Sequence, residues 1–107
     1  METIGKIVRL SPETVRGYAT LSAAETKTNH LNAKTRELKA LAVAVSLRCD
    51  GCITVHTDAA IKKRASKEEI AEALGVAVSV NAGAALVYSA HVMDAYEVLI
   101  KSAAAAK

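Results

Sequence analysis

The sequence contains no phenylalanine and no tryptophan, and its single proline is Pro12. With aromatics at 3% of 107 residues, the interior has to be built from alanine and branched aliphatics. Alanine-rich helices can lie close together, because small side chains leave little to clear between backbones. Scarce aromatics also remove the platforms on which bases stack. The one basic cluster, Lys62, Lys63, Arg64 and Lys67, has none interleaved, and the net charge of +3 is mild. That cluster reads as a solvated helix end, and no nucleic-acid partner is expected. The opening METIGKIVRL lacks a long apolar run and a cleavage signature, so export is not expected. Two cysteines without export signals point to a reducing, cytoplasmic setting, where paired thiols are reactive or metal-binding more often than structural.

Charge is missing from one long stretch. No Asp, Glu, Lys or Arg occurs from Ala73 to Met93, a run of the length a membrane span requires. The run is interrupted by Gly75, Ser79, Asn81, Gly83, Ser89 and His91 and is mostly alanine and valine. We therefore read it as parts of two buried helices, with no membrane partner. Hydrophobic residues at 51% against 23% charged describe a globular chain, and its length describes one domain over residues 1–107. So much apolar material on so small a chain implies burial between subunits, hence a homo-oligomer.

Period-two alternation is absent too, and most of the chain suits helix. Ser11 and Pro12 open one helix as cap and first residue, with Glu13 in its first turn. A second follows Asn32 through NAKTRELKALAVAVSL. A third starts near Cys49 and runs to about Arg64. Ser66 and Glu69 have capping-box spacing at the head of a fourth. Asn81-Ala-Gly83 reads as a break, AALVYSAHVMDAYEVLIKS as the closing helix, and AAAAK as a fraying tail. The expected fold is all-α, with about five to six helices.

The stretch RCDGCITVH, residues 48 to 56, concentrates the chemistry. On a helix starting at Cys49, Cys52 lies about 60° and His56 about 20° from it, so all three share a face. Ile53, Ala59 and Ala60 border them. The helix start, with its free N–H groups, favours a thiolate at Cys49, and Arg48 acts in the same direction. Asp50 opposes it, and Gly51 leaves room for a small substrate. Three readings stay open on these residues alone. They form a redox pair with a base, or a zinc-type site in which Cys49, Cys52 and His56 need completion by Asp50, Asp58 or His91, or a packing coincidence.

A fourth residue belongs with them. Glu37 falls on the side of its helix that carries Leu41 and Ala44, where a carboxylate is costly unless paired. If the chain doubles back near Arg48, Glu37 lies about 16 Å below the turn, with His56 at about 12 Å and Cys52 at about 6 Å on the returning helix. His56 is then the nearest partner. The order Glu37, His56, Cys52 is a carboxylate orienting an imidazole that serves a thiol.

The segment from about Leu31 to Tyr96 resembles the core of the AhpD-like alkylhydroperoxidases, within the carboxymuconolactone decarboxylase superfamily. The likeness rests on a glutamate, eleven residues, and then C-x-x-C-x-x-x-H, which Glu37, Cys49, Cys52 and His56 fit. The resemblance implies an AhpD-like helical fold with the cysteine pair at the start of a central helix. It implies a homo-oligomer, commonly a hexamer, and thiol-dependent reduction of a hydroperoxide or a partner disulfide. Cys52 would attack, and Cys49 would donate a proton and resolve, closing a redox-active Cys49–Cys52 disulfide with no other cofactor. His56 and Glu37 would relay protons, and a thiol or lipoyl-type reductant would complete the cycle. This chain is long enough for one core and has Gly51 where the best-known peroxidase carries a histidine. His91 is a further candidate to line the site, whereas His30 reads as loop.

Overall fold

Alanine, leucine, lysine and glutamate recur along the chain, and they lose least on entering a helix. The computed structural model describes residues 2–106, and among these there are seven helices and no strand. The chain divides into two compact units, Met1–Ala33 and Lys34–Lys107.

In the first unit, α1 (Glu2–Leu10) has no counterpart in the sequence reading, whereas α2 (Pro12–Ala23) begins at the proline as expected. Ser11 occupies the cap position of α2 without capping the backbone. Its hydroxyl instead shares a hydrogen bond with Thr14 Oγ1 at 2.7 Å. The short α3 (Glu25–Thr28) ends where Asn29 turns left-handed, at φ 50°.

The second unit holds α4 (Ala33–Leu47, entering from the boundary residue), α5 (Asp50–Lys62), α6 (Lys67–Tyr88) and α7 (Ala90–Ala106). Between α4 and α5 the chain reverses on very few residues. Arg48 adopts φ 56°, its N–H donates to Val45 O at 3.2 Å, and the Cys49 N–H donates to Ala44 O at 3.0 Å. These are the paired bonds of a Schellman termination, whose left-handed position normally holds glycine. The same device recurs at Arg64 (φ 66°), with Arg64 N–H on Ile61 O and Ala65 N–H on Ala60 O, both at 3.0 Å. A left-handed side-chain-bearing residue costs about 1–2 kcal/mol.

Two hydrogen bonds fix α6 beside α4. Lys34 Nζ donates to Glu69 Oε2 at 2.8 Å, and Asn81 Nδ2 donates to Ser46 Oγ at 2.7 Å. Both pairs are 35 residues apart, so the two helices run parallel at constant register, while α5 returns antiparallel between them in sequence. Among the described residues the buried ones are Leu41, Ala44, Ala60 and Ala77, one or two from each of α4, α5 and α6, and three are alanines. Almost everything beyond Ala77 is exposed in the single chain, including Leu86, Val87, Tyr88, Val92 and Leu99. The expectation of a buried apolar run thus fails for the isolated subunit. The segment Lys67–Ala106 is long and apolar enough to cross a membrane, with a mean hydropathy of 1.7 in its most apolar window.

Two boundaries differ from expectation. The helix does not break at Asn81-Ala-Gly83; it continues to Tyr88 and is interrupted at Ser89. Asn81 cannot act as a turn former because its amide is already committed, to Ala77 O (2.7 Å) as well as to Ser46. Gly83 keeps a helical backbone, since no glycine has positive φ. The tail is helical to Ala106, as four successive alanines allow, and Lys107 lies outside the described residues.

The head of α6 has the expected capping box. Ser66 Oγ accepts from Glu69 N–H at 3.0 Å, and Ser66 N–H donates to Glu69 Oε1 at 2.8 Å. The hydrogen bond from Lys34, then that from the Ser66 backbone, holds the Glu69 carboxyl below its ordinary 4.5. A depressed carboxyl stabilises the fold above its unfolded value and loses that contribution as pH falls through the folded one. The melting temperature should therefore fall below pH 4.5 more steeply in the native protein than in Glu69→Gln, which thermal melts across acidic buffers would show.

Candidate functional site

The site is built where α4 ends and α5 begins. Cys49 is the N-cap of α5, with extended backbone (φ −95°, ψ 98°), and its Sγ accepts the Cys52 N–H at 3.2 Å. A sulfur thus takes the place of the usual capping oxygen, satisfying one of the free donors of the first turn. Cys49 and Cys52 are joined by a disulfide, with Cα atoms 5.2 Å apart. A three-residue step at a helix start supplies this separation without distorting the helix. Gly51, between them, faces open space, since an added Cβ would meet nothing within 4 Å.

One turn beyond Cys52, His56 Nδ1 donates to Glu37 Oε2 at 2.7 Å. A carboxylate can only accept, so Nδ1 carries the proton and a neutral ring presents Nε2 as its basic nitrogen. The Glu37 side chain is 20% exposed and that of His56 35%, so the pair is sheltered but reachable. Glu37 lies one turn before Leu41 on α4, and Leu41 and Ala44 are both buried. The carboxylate on the apolar side of α4 therefore meets a partner on the neighbouring helix.

The other residues named from the sequence fall elsewhere. Asp58 pairs with Lys62 across one turn at 2.8 Å, and this hydrogen bond and charge raise the lysine above its ordinary value. Asp50 is exposed in the first turn of α5. His91 is exposed, and its ring lies against that of Tyr88, with centroids 4.4 Å apart. Among the described residues no three of His, Cys, Asp and Glu converge in an arrangement able to hold a metal ion. In this disulfide form the sulfurs of Cys49 and Cys52 are bonded to each other rather than open to a metal, while His56 keeps Nε2 free.

Sequence reasoning missed the link between Ser46 and Asn81. It lies against an open cleft of about 280 Å³ lined by Val45, Ser46, Arg48, Ala77, Val78 and Asn81. Reading Asn81 as a turn residue hides it. The constant 35-residue offset to α4 becomes visible only once Lys34 is paired with Glu69.

An all-helical domain with a disulfide-forming C-x-x-C capping one helix, and a glutamate–histidine pair one turn below, defines the class. Residues 12–95 match the carboxymuconolactone decarboxylase family, and the chain belongs to that family, in its AhpD-like superfamily. It is similar to an uncharacterized protein of Haemophilus influenzae, 45% identical over 97 residues that cover 91% of this chain and 86% of that one. An uncharacterized protein of Cupriavidus necator is 28% identical over 95 residues, covering 89% and 84%. A crystal structure of a carboxymuconolactone decarboxylase family protein from Legionella pneumophila, in its apo form, superposes with a TM-score of 0.69 at 38% identity, over 90% of this chain and 86% of that one.

The geometry makes a direct spectroscopic prediction. Nitrogen–proton correlation spectra at neutral pH should show His56 as the Nδ1-protonated tautomer. Glu37→Leu, which removes the acceptor, should let the commoner Nε2-protonated form reappear. An unchanged tautomer in that variant would place the ordering of the ring elsewhere.

Proposed function

We propose that this protein is a thiol oxidoreductase that reduces hydroperoxides through Cys49 and Cys52, with His56 and Glu37 as its proton relay. The observation that carries the reading is the Glu37–His56 hydrogen bond on the helix whose N-terminus holds the cysteine pair. In the reduced protein, His56 Nε2 takes the proton of the Cys52 thiol, directly or through one water, from one turn or about 6 Å along the axis. Glu37 stabilises the imidazolium that results. The Cys52 thiolate attacks the terminal peroxide oxygen, the O–O bond breaks, and the leaving alkoxide takes a proton to become an alcohol. Cys52 is now a sulfenic acid. The Cys49 sulfur attacks it, the S–O bond breaks, water leaves, and the disulfide forms. A two-electron dithiol reductant, a simple thiol pair or a lipoyl-type group, restores both thiols and closes the cycle.

Cys49 and Cys52 compete for the role of attacking thiol. Cys49 caps the helix, but a surface helix-end charge effect is only about 0.3–1 kcal/mol. A positioned base contributes about 10²–10⁴-fold, and Cys52 is the cysteine within one turn of it. Peroxide should therefore leave a sulfenic acid on Cys52 in Cys49→Ser, trapped by a dimedone-type reagent and located by mass spectrometry. Fast peroxide consumption should disappear in Cys52→Ser. His56→Ala should slow peroxide reduction by about 10²-fold or more, and Glu37→Gln should slow it to a lesser degree, with both variants folded by circular dichroism. Wild-type rates in both would remove the relay. A stoichiometric metal that survives purification of the reduced protein, and blocks both thiols, would favour a metal-binding role instead.

The same reading includes self-assembly in the cytoplasm. The exposed Leu86, Val87, Val92 and Leu99 need cover, and Asn81, Ser89 and His91 interrupt the surface too often for lipid. Further copies of the chain supply that cover, most simply as a hexamer. Light scattering in detergent-free buffer should return about six times the 11.2 kDa chain mass, whereas an 11.2 kDa species at micromolar concentration would rule assembly out.

A further inference from the structure

Arg48 is an expensive choice of residue. It holds a left-handed backbone at φ 56°, in a termination where glycine would be unstrained. Backbone outliers of this kind cluster at functional sites, although Arg64 shares the backbone without lining a cleft. Arg48 is exposed and has no ion-pair partner among the described residues. It lines the 280 Å³ cleft between the end of α4 and the middle of α6, and Cys49 follows it directly in the chain.

The cleft limits what Arg48 can hold. Its wall is apolar, from Val45, Ala77 and Val78. The donors of Ser46 and Asn81 are already used. Ser46 Oγ donates to Ala42 O at 2.7 Å, and the Asn81 amide donates to Ser46 Oγ and Ala77 O. Arg48 is thus the charged donor of the cleft. A single guanidinium matches one carboxylate in a two-pronged hydrogen bond, whereas a phosphate dianion would leave half its charge unmatched.

We infer that Arg48 anchors the carboxylate of a small aliphatic acid, and so selects hydroperoxides that carry a terminal carboxylate over neutral ones. The alkyl chain lies against Val45, Ala77 and Val78. The inference about turnover rests on the peroxidase reading, but carboxylate binding at the cleft does not. Arg48 acts here as a specificity residue and takes no part in the bond changes at sulfur.

The test has two arms. In the first, the oxidised protein is titrated with hexanoate and with hexanol, followed by amide chemical shifts. Hexanoate should perturb Val45, Arg48 and Val78, with an affinity that falls about tenfold or more in Arg48→Gln. Hexanol should not reproduce the effect. In the second, a tertiary alkyl hydroperoxide bearing a terminal carboxylate is compared with its methyl ester. The acid-to-ester ratio of kcat/KM should exceed one and fall about tenfold in Arg48→Gln and Arg48→Gly. A purely electrostatic effect of Arg48 on the thiols would change both substrates together and leave the ratio alone.

Arg64→Gly supplies the control, since it relieves the same backbone strain at the far end of α5. Both glycine variants should melt a few degrees higher, by about 4 °C, and only Arg48→Gly should lose the ratio. Hexanoate binding that Arg48→Gln leaves intact, or a ratio that Arg64→Gly alters equally, overturns the inference. Arg48-dependent hexanoate binding in a protein that consumes no peroxide overturns the peroxidase reading and leaves the carboxylate site standing.

Discussion

The reversal between α4 and α5 is the constraint on which the arrangement of the second unit depends. Leu47 ends one helix, Asp50 begins the next, and the two residues between them must turn the chain back on itself. A left-handed residue does this in one step, so Arg48 takes φ 56° and the following residue is left extended as the cap of α5. The cap is Cys49. The turn therefore sets a sulfur at the helix N-terminus and a second sulfur one turn on. It also brings α4 back alongside α5 at the height where Glu37 meets His56. Had the chain continued as one helix, Glu37 and Cys49 would stand about 18 Å apart along the axis.

Small residues let the third helix join. Ala44, Ala60 and Ala77 are buried, one on each of α4, α5 and α6, and a larger side chain at any of them would hold the helices apart. The constant offset between α4 and α6 follows, closed at one end by Lys34 and Glu69 and at the other by Ser46 and Asn81. Twelve residues separate these two clamps along each helix, about 18 Å of parallel run. Little apolar area is buried by alanines, which is why the interior of one chain is so thin and the outer part of α6 and α7 so bare.

The sequence carried the all-α fold through its lack of alternation and through its caps, because capping is a local affair. Pro12 and the Ser66–Glu69 box mark their helix starts for reasons contained within four residues. The facing of Glu37 and His56 was legible because helix rise converts residue counts into heights once a turn is assumed. The Ser89 interruption was not legible, and Asn81-Ala-Gly83 was a false break. The Asn81 amide there is committed to Ala77 O and to Ser46 Oγ, and the second partner, 35 residues away, is in no local pattern. The α1 helix was missed for a related reason, since its few polar and apolar residues carry no cap signal. Most of Ala73 to Met93 is exposed within one chain, because apolar sequence states a need for cover without saying which surface provides it.

The two Schellman turns show where local economy and chemistry part. Glycine would serve at both left-handed positions, and arginine stands at both. At Arg64 the charge falls among Lys62, Lys63 and Lys67, at the C-terminal end of α5, where a cation is favoured by the helix dipole whatever else it does. Arg48 also follows a helix C-terminus, so the dipole explains some of its presence. It differs from Arg64 in what comes next. The residue after Arg64 is an alanine with its N–H tied to Ala60, and the residue after Arg48 is the cysteine that caps a helix and closes a disulfide. The same backbone device therefore serves twice, but only the first stands on a cleft and directly precedes a disulfide cysteine in the chain.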